Sequence, residues 1–176
     1  NRIVTPTNYE SRLTDLLNVK YILSFDEIAS PKLTKVLEEG QTKLYENKQV
    51  LPRAFFTSEI VKVANRNQEL QKMLDGDFNP ESYGISSDFS FEKRQNNSSV
   101  LVTEYSDQSL SISTVGATAA PLVLSNVFYT GWKAYIDGRQ TDILRVNYMF
   151  QSIIVPDGIH NVKFKYEPQS FYNGLR

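Results

Sequence analysis

Aromatic side chains supply the most suggestive chemistry in this chain. Trp132, the only tryptophan, lies between Tyr129 and Tyr135 in the sequence, and Tyr148 follows in a second strand-rich segment. An aromatic ring combines a large apolar face with, in tyrosine and tryptophan, one polar group. Such faces suit the C–H surface of a sugar ring, so Tyr129, Tyr135 and Tyr148 are candidate glycan contacts. For Trp132 we favour a role as a core anchor, because its predicted strand face also carries apolar residues.

The polar residues predict no catalytic constellation. His160 is the only histidine and lies in an alternating strand pattern, which favours a structural or hydrogen-bonding role. Asp137, Asp142 and Asp157 lie at predicted turns or strand starts, where aspartate binds backbone groups. A glycoside hydrolase is the alternative, because its two carboxylates are paired in space rather than in sequence. We expect no catalytic residue.

One short segment resembles the start of a calcium loop. Residues 75–79 read Asp-Gly-Asp-Phe-Asn, but an EF-hand needs Gly at its sixth position and Glu at its twelfth. Pro80 and Ser86 stand there, so we interpret the segment as a helix stop and turn. The chain has no cysteine, which excludes a thiolate zinc site. No metal or cofactor site is predicted.

Composition narrows the class of partner. The 176 residues include 19 basic and 20 acidic side chains, and this balance argues against nucleic acid as a partner. No apolar run is long enough to span a bilayer. The chain begins without methionine, and both ends have the character of cuts in a longer polypeptide.

Residues 99–176 predict a regular antiparallel lobe. Asp137-Gly138 is a strong two-residue hairpin signal, since such turns need positive φ. The number and spacing of strands predict a β-sandwich or jelly-roll-like lobe. The predicted strands are Val100 to Tyr105, Ser109 to Val115, Leu122 to Tyr129, Trp132 to Ile136, Arg139 to Val146, Phe150 to Val155 and His160 to Tyr166.

Residues 1–98 predict a smaller α/β lobe, which we expect to pack with the lobe of residues 99–176 as one unit. Its predicted helices are Ser30 to Gly40, opened by Pro31, and Asn65 to Leu74. A polar lead-in over residues 1–15 precedes the predicted strands, which are Leu16 to Ser24, Thr42 to Asn47, Arg53 to Ser58 and a short one around Phe89 and Phe91. The predicted class is therefore α+β, mostly β.

Several segments resemble the YfhO family of multi-pass bacterial membrane proteins, which look like C-class glycosyltransferases that use polyprenyl-phosphate sugars. The most specific is YTGWKAYIDG, within Val123 to Gly138; Thr130 stands where the family usually has proline. The other matching segments are Leu16 to Leu23, Leu44 to Asn47, Leu51 to Phe56, Arg145 to Pro168 and Ser170-Phe171.

The resemblance implies a soluble extracytoplasmic domain at the cell membrane, held by flanking helices. The family's catalytic acids lie in loops between membrane helices, so none is carried over and this chain is not expected to be an enzyme. The expected role is accessory, in positioning an acceptor glycan or cell-envelope polymer. The alternatives are an autonomous carbohydrate-binding module and a purely structural or protein-interaction domain.

Overall fold

A computed structural model describes Tyr9 and residues 11–168. These residues form two helices, α1 (Arg12–Leu16) and α2 (Arg66–Leu74). They also form fourteen strands, which are β1 (Tyr21–Ser24), β2 (Leu33–Glu39), β3 (Thr42–Asn47), β4 (Ala54–Phe56), β5 (Ile60–Lys62), β6 (Gly84–Ser86), β7 (Ser99–Tyr105), β8 (Ser109–Gly116), β9 (Ala120–Val127), β10 (Trp132–Ile136), β11 (Arg139–Thr141), β12 (Leu144–Val146), β13 (Phe150–Val155) and β14 (Gly158–Tyr166).

Two antiparallel sheets build a β-sandwich. One has the strand order β11-β10-β14-β8-β7, and the other has the order β12-β13-β9-β4. Strand alternation directs every second side chain of each sheet into a shared core. Leu110 and Phe164 from the first sheet meet Leu122 and Ile153 from the second, and all four are fully buried.

The four-stranded sheet is buried on both faces. Leu122 and Leu124 of β9 face the sandwich core, whereas Val123 between them belongs to a second cluster with Leu16 and Phe55. This explains why β9 reads as a continuous apolar run rather than an alternating one. The second cluster also receives α2 and the parallel pair β5–β6.

A separate three-stranded sheet, ordered β1-β3-β2, lies in the N-terminal part. Its inner face carries Ile22 and Tyr45 in a third, smaller cluster. A buried ion pair joins it to α1, because the Lys32 ammonium lies 2.9 Å from the Asp15 carboxylate. Asp15 directly precedes Leu16, so α1 connects the small sheet to the larger core.

The predicted helix from Ser30 to Gly40 is wrong, because this segment contains strand β2. Leu33–Glu39 pairs with β3, and Gly40 makes the connecting turn at a φ of 59°. The register shifts between Lys35 and Leu37, and this bulge breaks the alternation that would have indicated a strand. The lysines at the start and glutamates at the end, opposed to a helix dipole, are consistent with the observed strand.

Three other predictions are corrected in extent. Of the predicted strand Leu16 to Ser24, only the last four residues are extended, since Leu16 ends α1. The predicted strand Arg139 to Val146 divides into β11 and β12, which lie in different sheets. Around Phe91 there is one isolated bridge to Ile60 rather than a strand.

The mostly β, α+β class is confirmed, and so is the helix predicted from Asn65 to Leu74; the structure makes Asn65 its N-cap. The division at residues 98 and 99 stays a prediction. Strand β4 comes from the first range yet pairs with β9 of the second, which ties the two ranges together. Most of the predicted lead-in and the Ser170-Phe171 segment lie outside the described residues.

Candidate functional site

A groove with a volume of about 220 Å³ lies beside the β10–β11 hairpin. Asp137 and Gly138 turn the chain with φ values of 50° and 79°, so β11 pairs back along β10. After Thr141 the chain crosses to the other sheet and begins β12. The groove lies at this crossing, and its lining residues are Phe128, Tyr129, Thr130, Trp132, Lys133, Gln140, Thr141, Asp142 and Ile143.

Two aromatic side chains give this groove its apolar surface. Tyr129 is 63% exposed, whereas Trp132 is half-buried and also packs against the sandwich core. The indole of Trp132 lies 5.5 Å from the ring of Tyr166, at an interplanar angle of 49°. The core-anchor and groove-lining interpretations of Trp132 are therefore compatible, since different parts of one side chain serve each.

Gly131 directly precedes this tryptophan and lies close to the ring of Tyr166. Its φ is 103°, and a Cβ placed there would come within 2.8 Å of the Tyr166 ring. Its carbonyl also accepts a hydrogen bond from the Glu167 N–H. Only glycine fits this position without strain.

Polar groups surround the aromatic surface. Gln140 and Asp142 are exposed, and Lys133 is half-buried at the groove wall. The Lys133 ammonium lies 2.9 Å from the Glu167 carboxylate, which also pairs with Lys165. Hydrogen bonds from Lys133 and, with a smaller effect, from Lys165 lower the pKa of Glu167. Asp142 thus brings a carboxylate beside the two rings, whereas the side chains of Lys133 and Gln140 share the strand face of Tyr135.

The predicted contact Tyr135 lies on the outer face of the five-stranded sheet. There it lines a second, shallow depression of about 420 Å³ together with Ser111, Asn161, Lys163 and Lys165. Side chains of successive strand residues point to opposite faces, so Tyr135 and Trp132 lie on different faces of β10. Tyr135 and Tyr129 therefore line different depressions.

The predicted contact Tyr148 lies at the turn between β12 and β13. Its φ is 68° and that of Asn147 is 49°, an uncommon conformation for both residue types. The Arg66 guanidinium covers the Tyr148 ring at 4.5 Å, and the Tyr148 carbonyl accepts hydrogen bonds from Arg66 and Arg145. One face of this ring is thus occupied. The role of all three tyrosines as glycan contacts stays a prediction.

Comparison with known proteins identifies the C-terminal half. Residues 90–176 match the model of a family described as bacterial membrane protein YfhO. The chain carries a YfhO-family domain. The segments from Val123 to Gly138 and from Arg145 to Pro168 lie within the matched range, whereas the earlier resembling segments precede it. A search of curated proteins and a search of solved structures each found no match.

Every residue that lines the Tyr129–Trp132 groove falls within the YfhO-family range. Among residues 11–168 and Tyr9, no helix has the length and apolarity needed to cross a membrane. The same part of the chain contains no group of three or more metal-ligating side chains. Asp75 caps the end of α2, as the interpretation of a helix stop predicts.

His160 joins two turns of the YfhO-family domain. Its Nδ1 lies 2.6 Å from an Asp137 carboxylate oxygen, and its Nε2 lies 3.0 Å from the Asp157 carbonyl. The other Asp137 oxygen accepts the Asn161 N–H at 2.8 Å. Hydrogen bonding to Asp137 raises the pKa of His160, while the Asn161 N–H and then His160 lower the pKa of Asp137.

Sequence reasoning missed the polar members of the groove. Asp142 is predicted only as a turn aspartate, and Lys133 and Gln140 carry no sequence signal for ligand contact, because polar residues are common at turns. The Asp137-Gly138 turn predicts the strand pairing beside the groove, since a two-residue hairpin pairs Gln140 with Tyr135 and Thr141 with Ala134. The crossing of Asp142 between sheets had no comparable local signal.

Proposed function

We propose that this chain is an accessory extracytoplasmic domain of a membrane glycosyltransferase-like protein. It holds an acceptor glycan or cell-envelope polymer near the membrane and does not itself transfer sugar. The parent protein supplies the catalytic acids and uses a polyprenyl-phosphate sugar. The family match to a bacterial membrane protein supports the setting, while the acceptor role rests on the groove.

The juxtaposition of Tyr129 and Trp132 carries this proposal. An exposed tyrosine and a half-buried tryptophan share one groove with Gln140 and Asp142. Rings can cover the apolar face of a sugar while a carboxylate such as that of Asp142 binds its hydroxyls. Small-molecule sites commonly enclose ~300–1,000 Å³, so this groove of about 220 Å³ suits one sugar unit of a longer chain.

NMR titration of the 15N-labelled chain with a panel of cell-envelope oligosaccharides tests the groove. We expect chemical-shift changes at the Trp132 indole N–H and at Gln140. The substitution Tyr129→Ala should lower the apparent affinity for the glycan at least tenfold, about 1.4 kcal/mol. Tyr21→Ala is the matched control, because Tyr21 is also exposed but lies on the three-stranded sheet. Equal weakening by both variants would contradict the groove.

The same titration separates the predicted contacts. Changes centred on Tyr135 and Lys163 would move the glycan to the outer sheet face, and changes centred on Tyr148 would move it to the β12–β13 turn. No change with any glycan would favour a structural or protein-interaction domain. An autonomous carbohydrate-binding module would be favoured by two results together. The unmodified chain would bind a glycan tightly, and the full-length protein with Tyr129→Ala would transfer sugar as fast as the unmodified full-length protein.

The membrane setting has its own test. The coding sequence on both sides of residues 1–176 should contain a cluster of apolar segments of about 20 residues, each long enough to span a bilayer. Without such a cluster, the proposed parent protein is refuted. Protease accessibility of the domain in intact cells and in inverted vesicles then assigns its side of the membrane.

A further inference from the structure

The three-stranded sheet exposes an apolar face that no described part of the chain covers. Leu23 of β1 and Leu37 of β2 each lie opposite Leu44 of β3. Directly opposed residues of antiparallel strands project from the same face, so the three leucines form one cross-strand row. Leu23 is 70% exposed and Leu37 is 57% exposed.

Aromatic residues extend this row. Tyr21 lies two residues before Leu23 on the same strand face, and Phe25 follows at the tip of β1 with 73% of its surface exposed. The turn at this tip is held by a hydrogen bond from the Asp26 N–H to the Ser24 hydroxyl. The Lys43 ammonium donates to the Phe25 carbonyl at 2.9 Å, which fixes the tip against β3.

The charges around this apolar face are nearly balanced. Apart from Lys32, which is buried against Asp15, the segment from Lys20 to Lys48 has four lysines and five acidic residues. Lys35 lies between two glutamates at 3.0 and 2.6 Å, and Lys48 pairs with Glu46. The segment therefore carries one net negative charge, which is too little to hold the face away from a lipid surface.

Pairing with a second copy through strand β2 is opposed by the character of that sheet edge. Strand β2 is an edge strand, carries a bulge near Val36, and exposes charged residues along its length. Bulges and charged side chains on an edge strand oppose the addition of another strand. An apolar face with Lys20 beside Tyr21 and Lys48 beside Glu46 at its margin instead has the composition of an interfacial membrane contact.

We propose that the face formed by Tyr21, Leu23, Phe25, Leu37 and Leu44 docks on the surface of a phospholipid bilayer. The match of the chain to a bacterial membrane protein family places a bilayer within reach of the domain. Phe25 and the leucines enter the headgroup region, while the Lys20 ammonium, 5.4 Å from the centre of the Tyr21 ring, remains at the level of the phosphates. This contact orients the domain relative to the membrane and is independent of the glycan groove.

Co-sedimentation of the 176-residue chain with vesicles tests the docking face. We expect binding to phosphatidylcholine vesicles, with less than about threefold change when some phosphatidylglycerol is added, because the face has almost no net charge. The variant Leu23→Thr/Phe25→Thr/Leu37→Thr should lower the partition coefficient by about a hundredfold, since these side chains supply most of the buried apolar area. Threonine retains the strand preference of the replaced positions.

A matched variant controls for general hydrophobicity. Leu101→Thr/Val115→Thr/Ile159→Thr removes three exposed apolar side chains from the five-stranded sheet and should bind vesicles as the unmodified chain does. Equal loss in both variants would overturn the proposal, as would no vesicle binding by the unmodified chain. Sedimentation velocity without lipid tests whether a second copy of the chain occupies the face instead. Dimerisation that only the first variant abolishes, without vesicle binding, would assign the face to a second copy instead.

Discussion

Replacing Lys32, the residue before strand β2, with methionine should destabilise the domain more than any single lysine substitution within the three-stranded sheet. Lys32 is 4% exposed and Asp15 is fully buried. The Lys32 ammonium donates to the Asp15 carboxylate at 2.9 Å, to the Thr14 hydroxyl at 2.8 Å and to the Ser11 carbonyl at 2.9 Å. Methionine fills similar space but supplies none of these bonds.

The loss of unfolding free energy follows from the Asp15 carboxylate, which remains buried. Without Lys32, the Asp15 oxygen that it contacts retains the Asn47 amide at 2.8 Å, and the Arg12 guanidinium lies 3.7 Å from the other oxygen. Removing one partner of a buried ion pair typically costs about 3–5 kcal/mol, because an uncompensated charge stays in the interior. With an m-value of ~2 kcal/mol/M, the urea midpoint should fall by about 2 M.

Lys35→Met is the matched control, in strand β2, which begins directly after Lys32. Its ammonium also contacts two carboxylates, but its side chain is 37% exposed, and exposed pairs contribute only ~0–1 kcal/mol. Urea unfolding of both variants, followed by far-UV circular dichroism, compares the two sites. A loss of less than 1 kcal/mol for Lys32→Met, or one equal to that of the control, would refute this reasoning.

Three further outcomes are expected. Gly131→Ala should lower the unfolding free energy by about 1–3 kcal/mol, because its φ is positive and the new Cβ meets the Tyr166 ring; thermal melting measures this, and an unchanged midpoint would contradict it. The raised pKa of His160 contributes stability that is complete below about pH 6.5 and is lost as pH rises through the folded-state pKa. His160→Gln should remove that pH dependence from the melting curves, and a persistent slope would exclude the Asp137 contact as its source. Arg145→Met removes the cation 3.0 Å from a fully buried carboxylate and should cost about 3–5 kcal/mol in urea unfolding, whereas a loss below 1 kcal/mol would show that the pair is not desolvated.

The C-terminal strands could be predicted because their signals are local. Leu110 and Ile112 alternate with serines along β8, and Val162 and Phe164 alternate with lysines along β14. Each pattern marks one buried and one exposed face. The Asp137-Gly138 turn, with both residues at positive φ, then fixes the register of β10 against β11.

The remaining elements depend on partners distant in sequence. Strand β2 could not be distinguished from a helix, because the bulge at Val36 places two consecutive residues out of alternation. The division of Arg139 to Val146 depends on the presence of a second sheet, which the segment itself does not encode. The candidate groove has the same origin: Tyr129 was predicted from its residue type, but Asp142 reaches it only because the chain changes sheets there.

The two proposed contact surfaces belong to different cores, and this makes them separable by mutation. The groove is built on the sandwich core through Trp132, whereas the apolar face lies on a small sheet with its own cluster around Tyr45. Between them, α1 places Leu16 in the larger core and the adjacent Asp15 against Lys32, which directly precedes β2 of the small sheet. A loss of the Lys32 contact therefore weakens the support of the apolar face directly, while the groove retains the strand pairs that form it.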